Sequence, residues 1–354
     1  MYRIVVINLG STSSKLAYYE DKTCMIKTKI DHTASEIKKY PKILDQYQYR
    51  LEAIVKFLKD HDIDYKQADA IVSCGGHTHP VVGGTYKINE LLLNEVKIGK
   101  FGRHPGDIGV LIAYSMAGEG RAIPMVVDPP TTDEFEPLAR YSGLPDMPRR
   151  SSFQVLNHRA VGRQYAKDVG RPYEELNLIV AHLGGGITVA LHKRGKLVDA
   201  NNGLEGDGPF STNRTGSLPV GALVDACYSG KYTYSEMKRR INGQGGMMAY
   251  LGENNVQVIE KKALAGNAVY KECLDAMLYQ TCKEIGSLAP LVGGKVDAIL
   301  LTGGMAHSKY ITSYIEEHVS FLAKVAIYPG EYEMQALASG AYDALTGAVD
   351  LKIL

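Results

Sequence analysis

The apolar positions of this chain fall into short continuous runs and longer runs with helical spacing. Arg3–Asn8 is a continuous β-branched run, typical of a strand buried on both faces, and Leu16–Tyr19 follows it after one turn. Glu36–Lys59 has the spacing of a helix. Because such strands alternate with helices, the pattern predicts an α/β fold. Further strands are predicted over Ala68–Ser73, Ala122–Asp128, Leu178–Ala181, Val189–His192, Lys196–Asp199, Val296–Leu301 and Val325–Tyr328, and further helices over Asp107–Gly118, Phe153–Val169, Tyr234–Asn242, Asn267–Leu288 and Glu333–Leu345.

One strand–turn–strand pattern occurs in each half of the chain. The segments INLGSTSSKLAYY and AHLGGGITVALHK share an apolar strand, a polar residue, Leu-Gly, small residues and a second apolar strand. This similarity indicates an internal repeat, with two unrelated glycine hairpins as the alternative. The stretch Pro137–Pro148 carries three prolines and predicts a crossing between two domains.

Composition narrows the class of protein. The 354 residues carry 40 basic and 39 acidic side chains, a net charge of +1, which argues against a general nucleic-acid binder. The 5 cysteines form no C-x-x-C pair, and the apolar N-terminal run is short, so we expect a cytoplasmic protein without a signal peptide or membrane span. Glycine is in excess, at 37 residues. Such an excess indicates backbone that turns tightly or approaches a ligand closely.

The candidate chemistry lies in turns that follow buried strands. Asn8–Lys15, His182–Thr188 and Thr302–Ser308 are rich in Gly, Ser and Thr, and such turns present backbone N–H groups and hydroxyls to phosphate oxygens. Neither a Walker motif nor a G-x-G-x-x-G leading from a strand into a helix is present in the sequence. One phosphate-holding hairpin per domain is instead the pattern of the actin-like ATPase superfamily.

Longer sequence motifs resemble those of a known protein family. NLGSTSSK, VVDPPTTDEF, RRSSFQVLNHRAV, IVAHLGGGITVALHKRGKLVDANN, GDGPFSTNRTGSLPVG and YPGEYEM resemble the butyrate kinase branch of the acetokinase family, in order and over nearly the whole chain. The resemblance implies a two-domain actin-like ATPase (ribonuclease H-like) fold. The N-terminal domain would be 1–150 plus 338–354, and the C-terminal domain 151–337.

The resemblance also implies an activity. The enzyme would transfer a phosphoryl group from ATP, with Mg²⁺, to butyrate or branched 2-methylpropanoate, directly and in line, giving an acyl phosphate and ADP; the reverse reaction makes ATP. Its partners would be a small carboxylate or acyl phosphate and further copies of itself, as a homodimer or larger assembly, with no nucleic acid and no membrane.

Residue roles follow from the same resemblance. Asp128 resembles a Mg-associated aspartate, with Asp133 and Glu134 as neighbouring alternatives, and Glu331 or Glu333 resembles a second metal-side carboxylate, the register between them being open. The catalytic candidates are Asp128, His158, His182 and Arg214, and the candidates for holding nucleotide or metal are Asn8, Ser11, Ser13, Lys15, Gly184, Gly185, Gly186, Gly303 and Gly304.

The sequence departs from the family on the expected acyl side. Family members carry G-R-G-G where this chain has Ser73-Cys74-Gly75-Gly76, and a thiol cannot make the bidentate contact of an arginine. Arg103, in a neighbouring loop, is the candidate replacement. Three nearby histidines (His77, His79, His104) suggest a metal site as a weaker alternative.

Two other functions compete with the carboxylate kinase. The loss of the arginine at Cys74 suggests an ATP-binding paralogue with weak or lost transfer activity, acting on another acid or as a regulator. A sugar kinase of the same superfamily is disfavoured because the motifs follow the acetokinase branch.

Overall fold

The computed structural model describes the backbone of residues 1–354 and every side chain except that of residue 34. The chain forms two compact units: unit 1 comprises 1–133, 155–160 and 332–354, and unit 2 comprises 134–154 and 161–331. These limits differ from the predicted domain limits at 134–150, 155–160 and 332–337.

Local contacts account for the first two differences. The backbone N–H of Glu136 donates to the carbonyl of Val198, and Arg149 binds the carboxylate of Asp199, which holds 134–150 on unit 2. In 155–160, Leu156 packs in a core cluster of unit 1 and Arg159 pairs with Asp128.

Unit 1 is built on a seven-stranded mixed sheet in the order β12-β5-β6-β4-β1-β2-β3. Strands β1, β4 and β6 are parallel neighbours at its centre, while β1, β2 and β3 form an antiparallel meander. The strands are β1 Arg3–Leu9, β2 Ser13–Glu20, β3 Thr23–Asp31, β4 Ala70–Ser73, β5 Thr85–Lys87, β6 Ile123–Val127 and β12 Leu351–Ile353.

Unit 2 has a five-stranded sheet in the order β11-β10-β7-β8-β9. Its strands are β7 Asn177–Leu183, β8 Ile187–Lys193, β9 Lys196–Ala200, β10 Ala298–Gly303 and β11 Val325–Pro329. The meander β7-β8-β9 is antiparallel and β7, β10 and β11 are parallel, which repeats the order and directions of β6-β4-β1-β2-β3 in unit 1. This shared topology supports the predicted internal repeat, with the two glycine hairpins at equivalent positions.

The helices lie in both units. Of those predicted, the pattern over Glu333–Leu345 matches α12, whereas Glu36–Lys59 is not one helix, because Pro41 separates α1 from a 3-10 turn and α2. The helices are α1 Ala34–Ile37, α2 Tyr47–Asp60, α3 Glu90–Ile98, α4 Pro105–Ala117, α5 Val155–Asp168, α6 Val220–Tyr228, α7 Tyr234–Ile241, α8 Met247–Leu251, α9 Val256–Leu264, α10 Ala268–Leu288, α11 Lys309–Val319 and α12 Glu333–Leu345.

The core of unit 1 lies on both faces of its sheet. Alternate residues of β1 point to opposite faces. Val5 and Ile7 join a cluster with apolar residues of α2, α3 and α4, and Ile4 and Val6 join another with Leu337 of α12. In unit 2, one cluster joins the sheet to α9, α10 and α11. Across the part of the chain that the structure describes, no helix is long and apolar enough to cross a bilayer.

Candidate active-site residues

The first glycine hairpin joins β1 to β2 in unit 1. Its register sets Asn8 directly opposite Lys15, so the two side chains lie on one face. Asn8 Nδ2 donates to Glu333 Oε2 over 2.7 Å, and Lys15 Nζ lies 3.6 Å from the same oxygen. The structure therefore brings a predicted amide, cation and carboxylate together.

The two glutamates that the sequence left as alternatives lie in different surroundings. Glu333 is half-buried at the start of α12, beside Asn8 and Lys15. Glu331 is exposed and is the last residue of unit 2 before the chain returns to unit 1. Glu333 is thus the carboxylate placed at the first hairpin.

Asp128 immediately follows β6, next to the end of β4. It is buried, and its backbone has φ of 41°, a left-handed conformation that costs an aspartate on the order of 1 kcal/mol. Asp128 Oδ1 accepts the Gly84 N–H over 2.8 Å and lies 3.3 Å from Arg159 Nε. An ideal Cβ on Gly83 would overlap the Arg159 guanidinium, so a larger residue there would displace this side chain.

Arg159 is a buried cation that the sequence reasoning missed. It lies one residue after His158, which is fully buried, and two after Asn157, whose Oδ1 accepts the Tyr332 N–H over 2.9 Å. The segment LNHR thus places an amide, a histidine and an arginine in unit 1. A signal was present: charged and polar residues lie inside the apolar pattern of α5 rather than on its exposed face.

Cys74 immediately follows the neighbouring strand β4 and lies in an apolar environment. It is buried within the core cluster that contains Ile4 and Val72. Burial, and then the charge of Glu333, raises the pKa of its thiol to about 12, so it is neutral at physiological pH. The two glycines that follow are sterically required, because a Cβ on Gly75 would lie 2.8 Å from Pro129 Cβ and one on Gly76 2.8 Å from Val96 Cγ1.

Arg103, the predicted replacement for the missing charge, is bound at the end of a helix. Its guanidinium donates to the carbonyls of Val96, Lys97 and Ile98 at the carboxyl end of α3. Three unpaired helix carbonyls attract a cation there, so the side chain caps the helix.

The three histidines do not form a metal site. His79 pairs with Glu95, while the rings of His77 and His104 lie 5.6 Å apart. Among the described side chains, no three His, Cys, Asp or Glu residues are placed to hold a metal ion. Burial, and then His77, lowers the pKa of His104 to about 4, which keeps its ring neutral as the N-cap of α4.

The second hairpin, in unit 2, joins β7 to β8 through three glycines. A Cβ on Gly184 would lie 2.8 Å from His182 Nε2, and one on Gly186 would overlap Arg214 Nη1, whereas Gly185 faces open space. His182 and Arg214 therefore lie against the same turn, where glycine leaves room for them. Arg214 Nη1 donates to the Gly203 carbonyl over 2.8 Å, and burial lowers the pKa of this guanidinium.

The predicted adenosine turn follows the neighbouring strand β10. Gly303 has φ of 91°, and a Cβ there would clash with the Leu183 carbonyl at the end of β7. Gly304 has nothing within 4 Å of its Cβ position. The turn thus lies beside the second hairpin with an open side.

Comparisons with known proteins agree with this arrangement. The model of the acetokinase family matches residues 147–328. Butyrate kinase 2 of Clostridium acetobutylicum is 45% identical over 99% of both chains. Among solved structures, Porphyromonas gingivalis acetate kinase superposes with a TM-score of 0.78 at 19% identity, covering 98% of this chain and 100% of that one. A propionate kinase of Francisella tularensis gives 0.72, also at 19% identity, over 96% and 99%.

The duplicated sheet, with a glycine hairpin in each unit, is the actin-like kinase fold, as predicted from the sequence. Within that class, the chain belongs to the acetokinase family. Both the fold and the family resemblance are confirmed.

Proposed function

We propose that this protein is a short-chain carboxylate kinase that phosphorylates butyrate or 2-methylpropanoate with ATP, reversibly. The observation that carries the proposal is the 45% identity to a butyrate kinase, which extends over 99% of both chains. The hairpin residues Asn8 and Lys15, and His182 and Arg214, are present and placed at the two turns. Acetokinase-family kinases use ATP and ADP as the phosphoryl donor and product.

The residues of unit 1 fit a magnesium ion. Mg²⁺ commonly binds one or two carboxylates and completes its shell with water and phosphate oxygens, so a cluster of three acidic side chains is not needed. Glu333 and Asp128 are the carboxylates that would hold it, with Asn8 beside Glu333. When bound, the ion would neutralise charge on the phosphates.

Side chains at the two hairpins would stabilise the remaining charge on the phosphates. Lys15 presents an ammonium group next to the first hairpin, where it neutralises phosphate charge. Arg214 presents a guanidinium fork, and His182 a ring nitrogen, at the second hairpin, to stabilise the transferring phosphoryl group. The barrier to phosphoryl transfer is lowered mainly by positioning and charge, so these roles are consistent with direct transfer that forms no covalent enzyme intermediate.

The test is an ADP-release assay over acetate, propionate, butyrate and 2-methylpropanoate, with the acyl phosphate trapped as its hydroxamate. We expect the highest kcat/KM on a four-carbon acid. ATP binding without turnover on any acid would instead support the regulator hypothesis, which no contact in the described residues favours.

Assembly and location are further proposals. We infer a homodimer or larger assembly in the cytoplasm, with a small carboxylate or acyl phosphate as the other partner. Light scattering at several protein concentrations would report the assembly, and a concentration-independent monomer mass would contradict it.

A further inference from the structure

Arg50 is a fully buried arginine on the apolar face of α2. Its relative exposure is 0%, and it shares that face with Ile54 and Phe57, at the i, i+4, i+7 spacing of a core-facing helix stripe. A cation at such a position is unusual, because burying a charge carries a large desolvation cost.

The guanidinium lies beneath the first glycine hairpin. Nη1 donates to the Ser13 carbonyl over 3.0 Å and to Ser14 Oγ over 3.0 Å, and Nη2 donates to the Gly10 carbonyl over 3.1 Å and to that of Ser11 over 3.4 Å. Gln46 Oε1 accepts from Nε and Nη2. A side chain of α2 therefore contacts the hairpin at four points.

These contacts fix which way the hairpin's peptide groups face. The remaining carbonyl of the turn, that of Thr12, accepts the His32 N–H over 2.8 Å. All four carbonyls of residues 10–13 are thus directed toward protein donors. Among the described residues, the N–H groups of Ser11 and Thr12 have no protein acceptor, and both residues are exposed. Peptide N–H groups turned outward in this way suit an anion.

The hydrogen-bond partners of the Arg50 guanidinium are neutral oxygens of Gln46 and of the hairpin. Among the described side chains, no carboxylate pairs with it. Burial lowers the pKa of the guanidinium, but arginine remains charged in proteins. An uncompensated buried cation creates a positive potential at the hairpin directly above it.

We propose that Arg50 is a positioning residue for nucleotide phosphates: it orients the hairpin's N–H groups and supplies positive potential from below, without touching the nucleotide. This rests on the proposed function, since the anion is then the phosphate chain of ATP or ADP. This role also accounts for the presence of an arginine at a core position.

The sharpest test is Gln46→Glu. The new carboxylate keeps both hydrogen bonds to Arg50 but neutralises its charge. We expect the ligand-free protein to unfold at a higher temperature, while ADP binding, measured by calorimetry, weakens about tenfold. A purely structural role predicts the first change without the second.

Two substitutions of Arg50 itself, Arg50→Gln and Arg50→Lys, test its role further. Arg50→Gln removes both the positive charge and the forked set of donors. We therefore expect its affinity for ADP to be at least as weak as that of Gln46→Glu, while the KM for the acid is unchanged. Arg50→Lys keeps the charge, so we expect partial recovery. Phe57→Leu, a core substitution on the same helix, controls for lost stability and should leave ADP affinity within about twofold of the unsubstituted protein.

The outcomes separate the two proposals. ADP affinity that is unaltered by Gln46→Glu and by the Arg50 variants would overturn the role of Arg50 alone. If the protein binds ADP, loses ADP affinity on Gln46→Glu, and phosphorylates no acid, only the proposed function is overturned. Absence of ADP binding by the unsubstituted protein would refute both.

Discussion

A single residue, Cys74, replaces the charge expected at the end of β4 with a small buried thiol. Burial raises the pKa of this thiol to about 12, so it stays protonated at pH 8, and the thiolate is the reactive form. We predict that iodoacetamide labels the exposed Cys24 and Cys227 but spares Cys74 until the protein unfolds. Peptide mass mapping over time checks this, and labelling of Cys74 at the rate of Cys227 would contradict it.

A second residue-scale prediction concerns the two glutamates near the return to unit 1. Glu333→Gln removes the carboxylate next to Asn8 and Lys15, so we expect kcat to fall by about 100-fold or more and the Mg²⁺ requirement to rise. Glu331→Gln, at an exposed position, is the matched control and should stay within about threefold. Steady-state rates over a magnesium titration measure kcat and the Mg²⁺ requirement of each variant. Equal effects of the two substitutions would exclude Glu333 as the metal-side carboxylate.

At the scale of an element, the second hairpin offers neighbouring glycines with opposite surroundings. A methyl group on Gly186 meets the Arg214 guanidinium, whereas one on Gly185 meets nothing within 4 Å. We predict that Gly186→Ala lowers kcat by about 100-fold by displacing Arg214, and that Gly185→Ala stays within about fivefold. Both variants should keep the circular dichroism spectrum of the parent. Comparable rates for the two would show that Arg214 acts elsewhere.

Elements with strong apolar runs were predicted well from the sequence, and weaker ones were missed. Strands β1, β4, β6 and β7 are continuous apolar segments and were found. The edge strand β3 is half-exposed and carries lysines, so its pattern does not stand out. The short strand β5 and the helix α3 were missed as well.

Residues of the candidate site were predicted only where they belong to a recognisable sequence motif. The hairpin residues follow from their glycine and hydroxyl pattern and the family resemblance. The contacts of Arg50 and Arg159 could not be predicted this way, because their partners lie 36 to 40 positions away for Arg50 and 31 positions away for Arg159. The partners of Arg103, the carbonyls that end α3, could not be predicted from the sequence for a similar reason.

At the scale of the whole molecule, the half-buried Glu284 contributes to the pH dependence of stability. Glu284, on α10, has its pKa raised from 4.5 to about 7 by burial and then by the charge of Asp207. The folded state therefore binds its proton more tightly than the unfolded state. The resulting stabilisation is complete below pH 4.5 and is lost as the pH rises through 7, by roughly 1–3 kcal/mol.

The corresponding variant removes that titration. We predict that Glu284→Gln loses less stability than the parent between pH 5 and pH 8, and that it is more stable than the parent at pH 8. Glu272→Gln, at an exposed position of the same helix, should keep the parent's pH dependence. Urea unfolding at both pH values tests this prediction. If the difference in urea midpoint between pH 5 and pH 8 is the same in Glu284→Gln as in the parent, the pKa of Glu284 is not raised.

The division of the chain between the units also has a consequence for synthesis on the ribosome. Unit 1 needs residues 332–354, including α12 and the edge strand β12, whereas unit 2 is complete once residue 331 has been made. The first 133 residues therefore emerge with the apolar surface that Leu337, Ala338 and Ala341 later cover still open to solvent. Vectorial synthesis thus favours folding of the second unit before the first, and it makes the nascent N-terminal segment the stretch most in need of a chaperone.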